Sequence, residues 1–121
     1  MVTLTIEGAP RTKKNSLRRL KRGKRVYTVG SEAHATWAEK AMWQLRQQWR
    51  EVPIAADVSV RALVYREKLT GDLVGYLQAI ADVLEHARVL NNDKQIVSWD
   101  GSRPLKDAAR PRVEIQIEVL P

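Results

Sequence analysis

The chain has 121 residues, 44% of them hydrophobic, and carries 21 lysines and arginines against 14 acids, a formal charge of +7. That suits one domain with one modest core, neither disordered nor divided in two. It has no cysteine, which excludes disulfides, thiolate zinc sites and thiol catalysis. No apolar run is long enough for a signal peptide or a membrane span, so a cytoplasmic protein without membrane contact is expected.

Val2, Leu4 and Ile6 alternate with Thr3, Thr5 and Glu7, which predicts a half-buried strand stopping at Gly8-Ala9-Pro10. A basic run follows. Arg11, Lys13, Lys14, Arg18, Arg19, Lys21, Arg22, Lys24 and Arg25 supply nine of the 21 cations with no acid among them, leaving twelve cations against 14 acids elsewhere. Such charges repel one another, and a polyanionic partner relieves that cost. The run has no apolar stripe of helical spacing, which an interfacial membrane helix needs, so nucleic acid is the expected partner. Locally it reads as a mobile loop, or as a hairpin turning at Gly23 into Arg25–Val29. Asn15 and Ser16 suit hydrogen bonds to phosphates or bases, and suit a turn equally well.

Ser31 offers a helix cap with Glu32 in the first turn, and Ala33, Trp37, Ala38, Ala41, Met42, Leu45 and Trp49 keep a helical period to about Arg50. Trp37 and Trp49 fit the core or a dimer interface; Trp43 falls between them and should be exposed. His34 and His86 read as helix-surface residues, not as a metal pair. After Pro53, Val58, Val60, Ala62 and Val64 form one face of a long strand, and Asp57, Ser59, Arg61, Leu63 and Tyr65 a mixed second face.

A second helix starts at Gly71-Asp72, with a predicted stripe of Leu73, Leu77, Ile80, Ala81, Leu84 and Arg88. Asn91 to Lys94 is a turn, Gln95 to Trp99 a strand, Asp100 to Pro104 another turn, and Val113, Ile115, Ile117 and Val119 mark a closing strand. The order ββαβαββ predicts an α+β single domain: a mixed, mainly antiparallel sheet with two helices packed on one face.

Asp72 and Asp93 flank the second helix. Each has an ordinary reading, Asp72 as a helix cap and Asp93 as a turn former. If the two converge, they offer hard oxygen ligands to Mg²⁺, and such an ion beside a basic surface is apparatus for hydrolysing a phosphodiester. Asp82 lies ten residues on, roughly 15 Å along the helix, too far to join Asp72.

The segment from Gly71 to Arg103, GDLVGYLQAIADVLEHARVLNNDKQIVSWDGSR, resembles the RusA family of Holliday junction resolvases. The family pattern is Asp-Leu-Asp-Asn, two residues, a Lys, an apolar helix containing Asp-x-Leu, then an Asp-Asp pair followed by Gln and a β-branched residue. Here stand Asp72-Leu73, Tyr76-Leu77, Ala79-Ile80, Asp82 and Leu84, then Asn92-Asp93 and Gln95-Ile96; the opening PRTKKNS, Pro10 to Ser16, is similar too. The resemblance implies a homodimer that cuts branched DNA with Mg²⁺, or Mn²⁺, held by Asp72 and Asp93, and with the basic run on the DNA. Val74, Gly75, Gln78 and Asn92 replace the family's second Asp, Asn, Lys and first paired Asp. A catalytically degenerate dimer that binds branched DNA without cutting it is therefore the alternative. Glu67 and Asp100 are the candidates to replace the missing acid, and Lys94 and Lys68 the missing cation. Arg66, Lys68, Arg103 and Lys106 are possible additions to the phosphate-binding surface.

Overall fold

The computed structural model describes residues 1–11, 17–22, 25–30, 32–69 and 71–121, with backbone alone over 17–22, 25–30 and residue 32. Elements run β1 (Val2–Glu7), β2 (Leu17–Arg22), β3 (Arg25–Gly30), α1 (Glu32–Gln48), β4 (Val58–Arg66), α2 (Leu73–His86), β5 (Ile96–Ser98), β6 (Arg103–Lys106) and β7 (Arg112–Val119). The main sheet has five strands in the order β1-β7-β4, with β5 and β6 both on the far edge of β4. β7 pairs antiparallel with β1 and β4, while β5 and β6 run parallel to β4. The expected α+β architecture is the observed one.

Period-two alternation decides which face each strand buries. Leu4 and Ile6 of β1, Val58, Val60, Ala62 and Val64 of β4, and Val113, Ile115 and Ile117 of β7 are all essentially inaccessible. Trp37, Ala41 and Leu45 of α1 and Ile80, Val83 and Leu84 of α2 cover that face. Trp49 packs against the same core, and Trp43 is 54% exposed with Arg46 over its ring, as the helical spacing required.

The buried stripe of α2 is turned relative to the expected one. It runs through Tyr76, Ala79, Ile80, Ala81, Val83 and Leu84 and on to Ala87, the residue that caps the helix C-terminus, so that Ile80, Ala81 and Leu84 of the expected stripe are buried while Leu73 and Leu77 are only half-buried. Arg88 lies beyond the helix, exposed and at φ 64°, so it belongs to no stripe. The rotation sets Leu77 and Ala81 at the rim of the core, where they line a pocket.

Two devices were not visible in the pattern. β1 is an edge strand, and edge strands invite unwanted pairing. Gln48 of α1 accepts from the Thr5 N–H at 2.8 Å and donates to the Thr5 carbonyl at 2.7 Å. Gln44 likewise accepts from the Glu7 N–H at 2.7 Å. On the opposite edge, β5 and β6 are separated by a turn at Gly101. There the Ser102 hydroxyl accepts from the Ala62 N–H at 2.9 Å, standing in for the strand partner that β4 lacks at that point. The turn expected over Asp100 to Pro104 is thus shorter, with β6 beginning at Arg103.

The basic run contains a two-stranded antiparallel sheet, with Leu17 opposite Gly30 and Arg22 opposite Arg25. This is the hairpin form of the expectation, not the loop. Lys13, Lys14, Asn15, Ser16, Gly23, Lys24 and the expected cap Ser31 lie outside the described residues.

Candidate active site and basic hairpin

β4 delivers the chain to a sharp turn at Gly71, where φ is +98° and an added Cβ would sit 1.8 Å from the Tyr76 hydroxyl. Only glycine fits there. Asp72 follows in an extended conformation as the N-cap of α2, its Oδ1 accepting from the Val74 N–H at 3.1 Å. It is exposed. The capping role is therefore the one its contacts display.

Asp93 opens a single 3₁₀ turn, Asp93–Gln95, built by reciprocal capping. Asn92 accepts from the Lys94 N–H at 2.8 Å, and Gln95 accepts from the Asn92 N–H at 2.8 Å. Asn caps as well as Asp does, so the departure at 92 costs the turn nothing. The Asp93 N–H donates to Glu85 of α2 at 3.0 Å, tying the turn to the helix. The Asp93 carboxylate itself makes no hydrogen bond or ion pair with the described residues.

Gln95 carries more than its place in the motif suggests. Its side chain is buried and donates to the carbonyls of Ile54 and Ala56 at 2.7 and 2.8 Å. One amide thus joins the turn to the loop before β4. Gln95→Leu leaves two carbonyls and an N–H without that partner, at about 1–3 kcal/mol for each that stays buried. Urea denaturation should show a loss of about 2–4 kcal/mol with an unchanged m-value; a loss below 0.5 kcal/mol would mean water replaces the amide.

Asp93 shares a pocket of about 270 Å³ with Val74, Leu77, Gln78, Ala81, Ile96 and Trp99. Asp72 is not in that lining, though it begins the turn of helix that carries Val74. Two of the departures from the family motif therefore face the acid that is kept. Val74 is 72% exposed and offers no ligand. Gln78 donates to Asp82 at 3.1 Å, which gives Asp82 a role in orienting that amide.

Among the described residues, no three His, Cys, Asp or Glu side chains form a group able to hold a metal. Neither Glu67 nor Asp100 completes such a group with Asp72 and Asp93. Glu67 and Lys68 line a different pocket, and Asp100 and Lys94 are exposed at turns. What remains are two separate acids, Asp93 in the pocket and Asp72 at the start of the helix that lines it. Mg²⁺ is commonly bound through one or two carboxylates with water and phosphate completing the octahedron, so Asp93 meets the lower limit of its needs.

The described cations of the basic run are spread over the hairpin backbone: Arg18, Arg19, Lys21 and Arg22 on β2 and Arg25 at the start of β3. Arg11 precedes them and is exposed, its carbonyl accepting from His34 Nδ1–H at 2.7 Å. His86 is exposed at the end of α2. Glu85 and Trp99 were missed by sequence reasoning; neither stands at a spacing that marks it, and both reach the site only through folding.

Fold and pocket together define a small α+β domain with an acidic turn beside the start of a helix and a cationic hairpin. The family model for Endodeoxyribonuclease RusA matches residues 7–118. The chain belongs to the RusA family, and no individually curated protein matches it. No helix among the described residues is long and apolar enough to cross a membrane.

Proposed function

We propose that this protein is a Mg²⁺-dependent, structure-selective endodeoxyribonuclease that resolves Holliday junctions in DNA recombination and repair, acting as a homodimer. The observation that carries the reading is the pocket that sets Asp93 against the first two turns of α2, the helix capped by Asp72, within a RusA-family chain. A divalent ion held by these carboxylates would offset charge on the phosphoryl oxygens and lower the pKa of a bound water. The chain's own part is to position. The Gln95 bonds and the Glu85 tether hold Asp93 on a rigid turn, and the Asp72 cap holds the helix start. The hairpin cations contact phosphates, which places the junction without reading sequence.

A second reading rests on Val74 and Gln78, which face the same pocket and supply neither a ligand nor a cation. On that reading the dimer binds branched DNA and leaves it intact. The deciding experiment mixes wild-type protein with a four-way junction, duplex DNA and structured RNA, with and without Mg²⁺. Mg²⁺-dependent nicking confined to the junction supports the enzyme. Tight junction binding without nicking gives the case to the binding protein, and preference for RNA removes both.

The dimer is expected because α1 leaves Trp43 exposed, and Val52 and Val97 are exposed as well. Light scattering at micromolar concentration should give twice the 13.8 kDa chain mass; a species of 13.8 kDa alone counts against it.

A further inference from the structure

We propose that a cleft at the end of β4, distinct from the acidic pocket, is a preformed site for one phosphate of the DNA backbone, held by Arg66 with Lys68 and Arg11. The proposal rests on the reading of the protein as a DNA-junction binder. The cleft has a volume of about 400 Å³, and Gly8, Ala9 and Pro111 are part of its lining. Three cations and one acid, Glu67, line it. That is more room than a lone phosphate fills, and enough for a phosphodiester with a flanking sugar.

Arg66 is the reason to regard this as a built site and not a solvated patch. Its Nη1 donates to the Pro10 carbonyl at 3.2 Å, and its guanidinium carbon lies 4.4 Å from the centre of the Tyr76 ring. Its Nε–H is buried with no acceptor. No carboxylate among the described residues pairs with it; the ion pairs there belong to Arg110, with Glu7, and to Arg112, with Asp107 and Glu114. A half-buried cation without a counter-charge is costly unless an anion arrives. The planar fork is also held in one orientation before any ligand binds, and guanidinium geometry matches phosphate oxygens. Glu67 is exposed and pairs with none of the three cations, so the cleft keeps a net charge of +2.

Position argues for DNA backbone over a free anion. Arg11 is the first cation of the basic run, and Arg66 to Lys68 lead directly into the segment that ends at Asp72. The cleft is thus joined along the chain to both the basic run and the acidic segment, the two parts that the DNA-binding reading assigns to the junction.

The test is junction binding by fluorescence anisotropy in EDTA, for wild type, Arg66→Gln, Arg66→Lys and Lys68→Gln, across a salt series. Arg66→Gln should weaken binding roughly tenfold near 0.1 M salt and reduce the magnitude of the log K against log [salt] slope by about 0.9, the value of one phosphate contact. Arg66→Lys should keep the slope and lose part of the affinity, because it keeps the charge without the fork. A methylphosphonate scan of the junction should find a position whose neutralisation weakens the wild type and has no further effect on Arg66→Gln. Wild-type affinity and slope in Arg66→Gln overturn the site while leaving the DNA-binding reading intact. If Arg66→Gln does not fold, unchanged binding by both Arg66→Lys and Lys68→Gln overturns it equally. A wild type that does not bind the junction defeats the functional reading itself, and the site with it.

Discussion

Asp93→Asn and Asp72→Asn are each expected to lower single-turnover cleavage of a four-way junction by roughly 10²–10³ or more, the scale of losing one charge-stabilising group. Asparagine is chosen because it keeps the contacts that these positions display. Its amide oxygen caps α2 as the Asp72 carboxylate does, and the Asp93 backbone bond to Glu85 does not use the side chain. Thermal stability should therefore stay within a few degrees, and a rate loss reports on charge alone. Junction binding should survive or tighten, since a negative charge beside phosphate is removed. Val74→Asp with Gln78→Lys should raise the rate by returning an acid and a cation to the pocket. Val74 is 72% exposed, so the change opens no cavity in the core. Cleavage that persists in both single Asp variants removes this pocket as the site.

Salt should weaken junction binding steeply. If six phosphates are engaged, log K falls with log [salt] at a slope of about −5, close to a 10³ loss between 50 and 200 mM. Neutralising Arg18, Arg19, Lys21 and Arg22 together should flatten that slope and leave the melting temperature little changed. These residues lie on β2, which pairs with β3 in a sheet of its own, and the main sheet does not depend on them. An unaltered slope in the quadruple variant would move the DNA-binding surface elsewhere.

Much of the architecture was legible because its signals are local. Val2, Leu4 and Ile6, and Val58 through Val64, alternate cleanly, and period two has a single buried face. Asp72 after a glycine announced the start of α2 for the same reason, since capping involves neighbours only. The stripe of α2 was legible only in part. Ile80, Ala81 and Leu84 are buried as expected, Leu77 is apolar enough to be core but is half-buried, and the packing of Tyr76, Ala79 and Val83 instead of Leu73 and Arg88 is settled by what the sheet presents to the helix. The first half of β6, Arg103 and Pro104, was read as turn, because its pairing comes from Leu63 and Val64 of β4, 40 residues away.

The family kinship, the charge run and the two candidate acids were carried by the order of residues along the chain, since short motifs need no partner to be read. Folding alone decided what surrounds them. It placed Val74 and Gln78 opposite Asp93, spent Asp72 on a cap, and moved Glu67 and Lys68 into a separate cleft with Arg66. Those outcomes depend on groups far apart in sequence meeting at van der Waals and hydrogen-bond range. Periodicity constrains which face a residue takes, and only the packed sheet and helices fix which distant residue it meets there.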